Sequence, residues 1–137
     1  MSVEVYLQCF GESERSGISR AAVRRLFPVV EEESESDDWR ILYDPKNSCD
    51  IGVTALDSDK AMLTSLCIYR PCGDIRLWEG LFAVLCMGAV VVFWPGSPPI
   101  VAADTVGANL PKNMVEALGP ARSVHSAADI LQLLRET

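Results

Sequence analysis

The stretch DIRLWEGLFAVLCMGAVVVFW, residues 74–94, decides how the rest of the chain is read. Behind Asp74, the residues Ile75, Trp78, Leu81, Phe82 and Leu85 recur at helical spacing, and Gly88 is available to end the helix. Ala89 to Trp94 is unalternated and rich in β-branched and aromatic side chains, the pattern of an interior strand covered on both faces. Gly80 to Ala103 carries no charge, so a membrane span has to be weighed against this reading. The continuous apolar part, Leu81 to Trp94, is fourteen residues long, and Pro95, Pro98 and Pro99 break the chain beyond it. A spanning helix needs about twenty. The segment is therefore read as a buried helix followed by a buried strand.

Working outward, Val3, Val5, Leu7 and Cys9 alternate with Glu4, Tyr6, Gln8 and Phe10, which predicts a first strand with unequal faces. Ser19 is placed to cap a short helix, with Ile18 stapled onto Val23, an apolar side of Val23, Leu26 and Phe27, and Pro28 as its stop. Trp39 to Asp44, the turn cluster Asp44 to Ser48, and the alternating Cys49 to Ala55 predict a hairpin. A second turn at Asp57 to Lys60 leads into a third apolar-rich run, Ala61 to Tyr69. Beyond residue 94, a proline-bearing loop precedes a helix near Pro111 to Leu118, closed by Gly119 and Pro120. Ser126 caps a last helix with an apolar stripe of Ile130, Leu133 and Leu134. The order β-α-β-β-β-α-β-α-α implies one α+β domain over residues 1–137. Its sheet is single, mainly antiparallel and of about five strands, a ferredoxin-like variant with an extra strand and helices packed on it.

Twelve Lys and Arg against nineteen Asp and Glu give a net charge of −7, the wrong sign for holding a phosphate backbone, so nucleic acid is excluded as a general partner. The chain opens Met-Ser-Val-Glu-Val without the basic start and apolar stretch of an export signal. Its five cysteines, Cys9, Cys49, Cys67, Cys72 and Cys86, have no regular spacing, and a reduced, cytoplasmic setting is expected. His125 is the sole histidine, which removes histidine pairs for metal or acid–base work. Ser123 or Ser126 with His125 lacks a nucleophile elbow, and Ser126 is better explained as a cap. Cys67 and Cys72 have no second pair to complete a zinc site. Cys72, just before Gly73 and Asp74, is the thiol to consider for a thiol-dependent enzyme, with a structural role as the simpler reading. Phosphate and dinucleotide loops are absent. A non-catalytic protein without cofactor or metal is expected.

The feature that departs from a bland domain is the run Glu31, Glu32, Glu33, Glu35, Asp37 and Asp38, six carboxylates in eight residues, leading into Trp39 and Tyr43. As structure, such a run keeps other chains from pairing with a sheet edge. As function, carboxylates around an aromatic anchor dock a basic partner. Trp39 and Tyr43 fall on one strand face, so either both feed the core or both are presented together. In size, in charge and in the segment from Glu31 to Tyr43, the chain resembles the small acidic immunity proteins that bacteria make against their own secreted toxins. The resemblance implies an acidic surface that occupies the basic active site of a toxin. The alternative is a homodimeric small-molecule-binding or regulatory domain in which the uncharged segment Gly80 to Ala103 reaches beyond one subunit's core.

Overall fold

A computed structural model describes residues 3–10, 17–33 and 38–137, with the side chains of residues 31–33 outside the description. The strands are β1 (Val5–Cys9), β2 (Ile18–Ser19), β3 (Val29–Glu33), β4 (Asp38–Asp44), β5 (Asn47–Leu56), β6 (Asp59–Tyr69), β7 (Val90–Phe93), β8 (Ile100–Val101) and β9 (Arg122–Ser123). The helices are α1 (Arg20–Arg25), α2 (Ile75–Leu85), α3 (Asp104–Gly107), α4 (Lys112–Leu118) and α5 (Ala127–Glu136). All the strands join one sheet in the order β3-β4-β5-β6-β1-β7-β8-β9, with β2 on β6. Its pairings are antiparallel except β8 with β9.

The expected single, mainly antiparallel sheet with helices on it is present, but it has nine strands among the described residues where about five were expected. Three of the added strands, β2, β8 and β9, are two residues long, too short for any period to show. The fourth, β3, is made of Val29, Val30 and three glutamates, a composition that reads as a solvated loop. It is the edge strand beside β4. Helix α3 was likewise hidden by its four-residue length.

Local chemistry accounts for most boundaries. Ser19 accepts from the Ala22 amide at the start of α1, Asp74 from the Arg76 amide at α2, and Ser126 from the Asp129 amide at α5. Asp129 in turn accepts from the His125 amide at 2.9 Å, closing both ends of the cap. Gly119 ends α4 at φ 94°, a conformation that disfavours any side chain. In α2 the buried stripe is Leu77, Trp78, Leu81, Val84 and Leu85. Ile75, expected on that stripe, is exposed at the helix start.

Helix coverage of the sheet is uneven. On one face, Val5, Leu7, Trp39, Ile41, Ile51, Val53, Leu66 and Ile68 meet Val23 of α1, the stripe of α2, and Ile130, Leu133 and Leu134 of α5 in one core. On the other face, a smaller core of Phe10, Val91, Val101 and Leu110, with Met114 and Val115 of α4, covers only the β7–β8 end. Val90, Val91 and Val92 are all sealed, so β7 is covered on both sides as its composition demanded. Much of the uncharged segment lies in these two cores, while Met87, just past the end of α2, is 39% exposed.

Trp39 feeds the main core and is 2% exposed, whereas Leu42 on the outward face of the same strand is 40% exposed. Trp39→Ala is expected to lose about 3–5 kcal/mol of unfolding free energy. Leu42→Ala should stay within about 0.5 kcal/mol of the parent. Urea denaturation of both variants checks this, and similar losses would contradict the assignment of faces.

Candidate functional site

Because α3 and α4 cover only one end, strands β4, β5, β6 and β1 turn their second face outward. The register lines up a row across it. Phe93 pairs with Tyr6, Tyr6 with Cys67, Cys67 with Gly52, Gly52 with Asp38, and Asp38 with Glu33. A second row beside it runs from Tyr69 through Asp50 and Arg40 to Glu31. Five strand spacings make the first row about 24 Å long. Two adjoining depressions of 580 and 540 Å³ lie along these rows and share Asp38 and Tyr69.

Gly52 makes the groove's floor. A Cβ placed there would stand 2.9 Å from the Tyr69 hydroxyl, 3.0 Å from its ring carbon Cε2 and 3.3 Å from Asp38 Oδ1. Glycine thus lets the Tyr69 ring lie across β5 with its hydroxyl toward Asp38. At the other end of the row, the Tyr6 ring stacks on Phe93, with centroids 5.5 Å apart and planes inclined by 21°. The Tyr6 hydroxyl donates to Glu4, and that hydrogen bond, with burial and the carboxylate's charge behind it, pushes its pKa up to about 12. Tyr69 is raised by Cys67 first, then by burial and the charge of Asp38, and Cys67 by burial first and then by Glu4. Glu4 opposes new negative charge on Tyr6, Cys67 and Tyr69, and Asp38 does so on Cys67 and Tyr69.

Arg40 and Arg70 also line the groove. Arg40 stands 3.6 Å from Asp50 with both side chains more than half exposed, a pair that water and salt weaken.

The predicted contact residues are not brought together. Asp38 lies in the groove. Trp39 and Tyr43 lie on the opposite face and both feed the core, so Trp39 is not a presented anchor, and this corrects that expectation. The alternation of β4 causes it, since neighbours in a strand point to opposite faces. Glu31, Glu32 and Glu33 contribute the backbone of β3, and Glu35 and Asp37 lie outside the described residues. The aromatics of the groove, Tyr6, Tyr69 and Phe93, were missed. For Tyr69 the signal was a lone glycine, Gly52, inside the strand pattern Cys49 to Ala55, which marks a close approach.

Tyr43 belongs to a separate constellation on the helix side. Arg76 Cζ lies 5.0 Å from its ring centroid, and the guanidinium forks onto Asp74 at 2.6 and 2.9 Å while reaching Asp44 at 3.8 Å. Burial raises the Tyr43 pKa, and its buried hydroxyl has no hydrogen-bond partner among the described residues. Asp44 is lowered, chiefly by the Asn47 side chain in the β4–β5 turn.

No family model, curated protein or solved structure matches the chain. Among the described residues, no group of three or more His, Cys, Asp or Glu is placed to hold a metal ion, and no helix is long and apolar enough to cross a membrane.

The Arg76 fork, followed by the Arg76 amide, holds the Asp74 carboxyl at about 2. A carboxyl lowered by folding adds stability that is present above its unfolded pKa and lost as pH falls through the folded one. Asp74→Asn keeps a good helix cap and removes the charge. Its urea midpoint should lie below the parent's at neutral pH, and the gap should close as pH drops from about 4 to about 2. A gap that does not change over that range would contradict the pairing.

Proposed function

We propose that the chain is a non-catalytic binding domain that docks a basic protein partner on the open face of its sheet, with Asp38, Glu4 and Asp50 beside the anchors Tyr69 and Tyr6. One observation carries the reading: a sheet face left bare by the helices, on which Tyr6 bonds Glu4 and the Tyr69 ring lies over Gly52 beside Asp38. Such anchors supply contact area at low entropic cost, and the carboxylates favour cationic side chains and repel acidic ones. At about 24 Å the row accommodates about seven residues of an extended segment, or the rim of a cationic cleft. The narrower form of the proposal is toxin neutralisation, as in the immunity proteins the chain resembles, with the partner's basic active site lying over the groove. The edge acids of β3 extend the rows toward that partner, in a role distinct from anchoring.

The same reading takes β5-β6-β1-β7, with α2 crossing from β6 to β7, as a ferredoxin-like kernel enlarged at both edges. The enlargement by β3 and β4 is what widens the open face.

The test is an NMR titration of the isotopically labelled chain with an extended arginine-rich peptide and with its glutamate counterpart. The arginine peptide should shift the amides of Gly52, Cys67, Tyr69 and Tyr6 saturably, and added salt should weaken the effect. Asp38→Lys should weaken binding roughly tenfold, about 1.4 kcal/mol. Shifts that gather away from these residues, or that are equal for the two peptides, would overturn the proposal.

A further inference from the structure

The two depressions of the groove differ in charge. One carries the uncharged side chains of Gln8, Thr54, Thr64 and Ser65 along with Asp38. The other gathers Glu4, Asp38 and Asp50 with Arg40 and Arg70. Each of these acids already has a neighbour. Glu4 accepts from the Tyr6 hydroxyl, Asp50 stands 3.6 Å from Arg40, and Asp38 converges with the Tyr69 hydroxyl over Gly52. Arg70 is left over: among the described residues its side chain makes no ion pair and no hydrogen bond.

The backbone at Arg70 runs against local preference. Tyr69 still pairs with Asp50 of β5, and Arg70 then takes φ 51°, a left-handed conformation uncommon for a residue with a side chain. Pro71 follows, and a proline favours an extended residue before it. Glycine or asparagine would make such a turn with less strain. Strained residues of this kind gather at binding sites, where the surrounding structure holds them in place. Here the turn roots an exposed guanidinium at the rim of the charged depression, next to the anchor Tyr69. A guanidinium without a partner offers a planar fork of donors that matches a carboxylate.

We propose that Arg70 is a specificity-determining residue that receives a carboxylate of the docked partner, so that the segment selected by the groove carries cationic side chains over Asp38 and Glu4 and one acid group at Arg70. The inference rests on the docking reading and narrows its partner from a basic segment to one of mixed charge. A carboxylate suits the place better than a phosphate, because Glu4, Asp38 and Asp50 in the same depression repel a doubly charged group more strongly. Its source is an aspartate or glutamate side chain or the end of a chain. An all-cationic competitor leaves Arg70 facing a like charge, which gives the groove a means of rejection as well as attraction.

The experiment titrates the isotopically labelled full chain with amidated arginine-rich peptides in which a single glutamate is moved along the sequence, and with an all-arginine peptide that ends in a free carboxylate. The amidated all-arginine peptide is the reference. Against a chain of net charge −7, exchanging an arginine for a glutamate should weaken binding on charge alone. Glutamate at one position, or the free end, is expected instead to tighten binding at least threefold, and which of the two does so identifies the source. Arg70→Asn and Arg70→Gly, both suited to the left-handed turn, should abolish that gain, bind the reference at least as tightly as the parent does, and keep a Tm at or above the parent's. Weaker binding of every acid-bearing peptide, while the reference still shifts Gly52 and Tyr69, would overturn this inference and leave the docking reading standing. A gain that survives in both variants, or a Tm lowered in both, would also overturn it. A reference peptide that leaves the groove unmoved would overturn the docking reading, and this inference with it.

Discussion

Three tryptophans, Trp39 on β4, Trp78 on α2 and Trp94 after β7, are sealed together in one core, and the rest of the molecule is arranged around that burial. They account for all the tryptophan in the chain. Their rings bring α2 and α5 down onto a single sheet face, where side chains of this size contribute more than any others to the apolar area removed from water. With the long helices committed there, only the short α3 and α4 are left for the second face. They reach no further than β7, β8 and β9. The open surface over β4, β5, β6 and β1 is therefore a consequence of where the large hydrophobes sit.

Much of this architecture could be read from the residues. The caps Ser19, Asp74 and Ser126, the β4–β5–β6 meander and the doubly covered β7 each follow from a local pattern that tertiary contacts reinforce. What escaped had physical reasons. Two-residue strands have no period, and β3 is held by pairing with β4 in spite of its glutamates. The candidate site was legible only in part. The acidic cluster falls in part on the edge strand β3, and Asp38 lies in the groove. Trp39 misled because size and aromaticity suit an anchor and a core residue equally, and only register tells them apart. Tyr69 and Tyr6 escaped because their partners, Gly52 and Phe93, are distant in sequence and neighbours only across strands.

The left-handed turn at Arg70 ends β6 at the rim of the groove that Tyr69 and Arg70 line. The two faces of β5 serve different ends within a few residues of each other: Asp50 and Gly52 line the groove, while Ile51 and Val53 belong to the main core.

The central claim is that the bare sheet face is covered by a partner in its native setting, and carboxyl labelling by a carbodiimide and an amine tests it most directly. Asp38 and Glu4 on the face are compared with Asp57, whose side chain is fully exposed at the β5–β6 turn. In cells that make the protein at native level, Asp38 and Glu4 are predicted to label less than in the purified chain, while Asp57 labels equally in both. Unchanged labelling of all three would contradict the account.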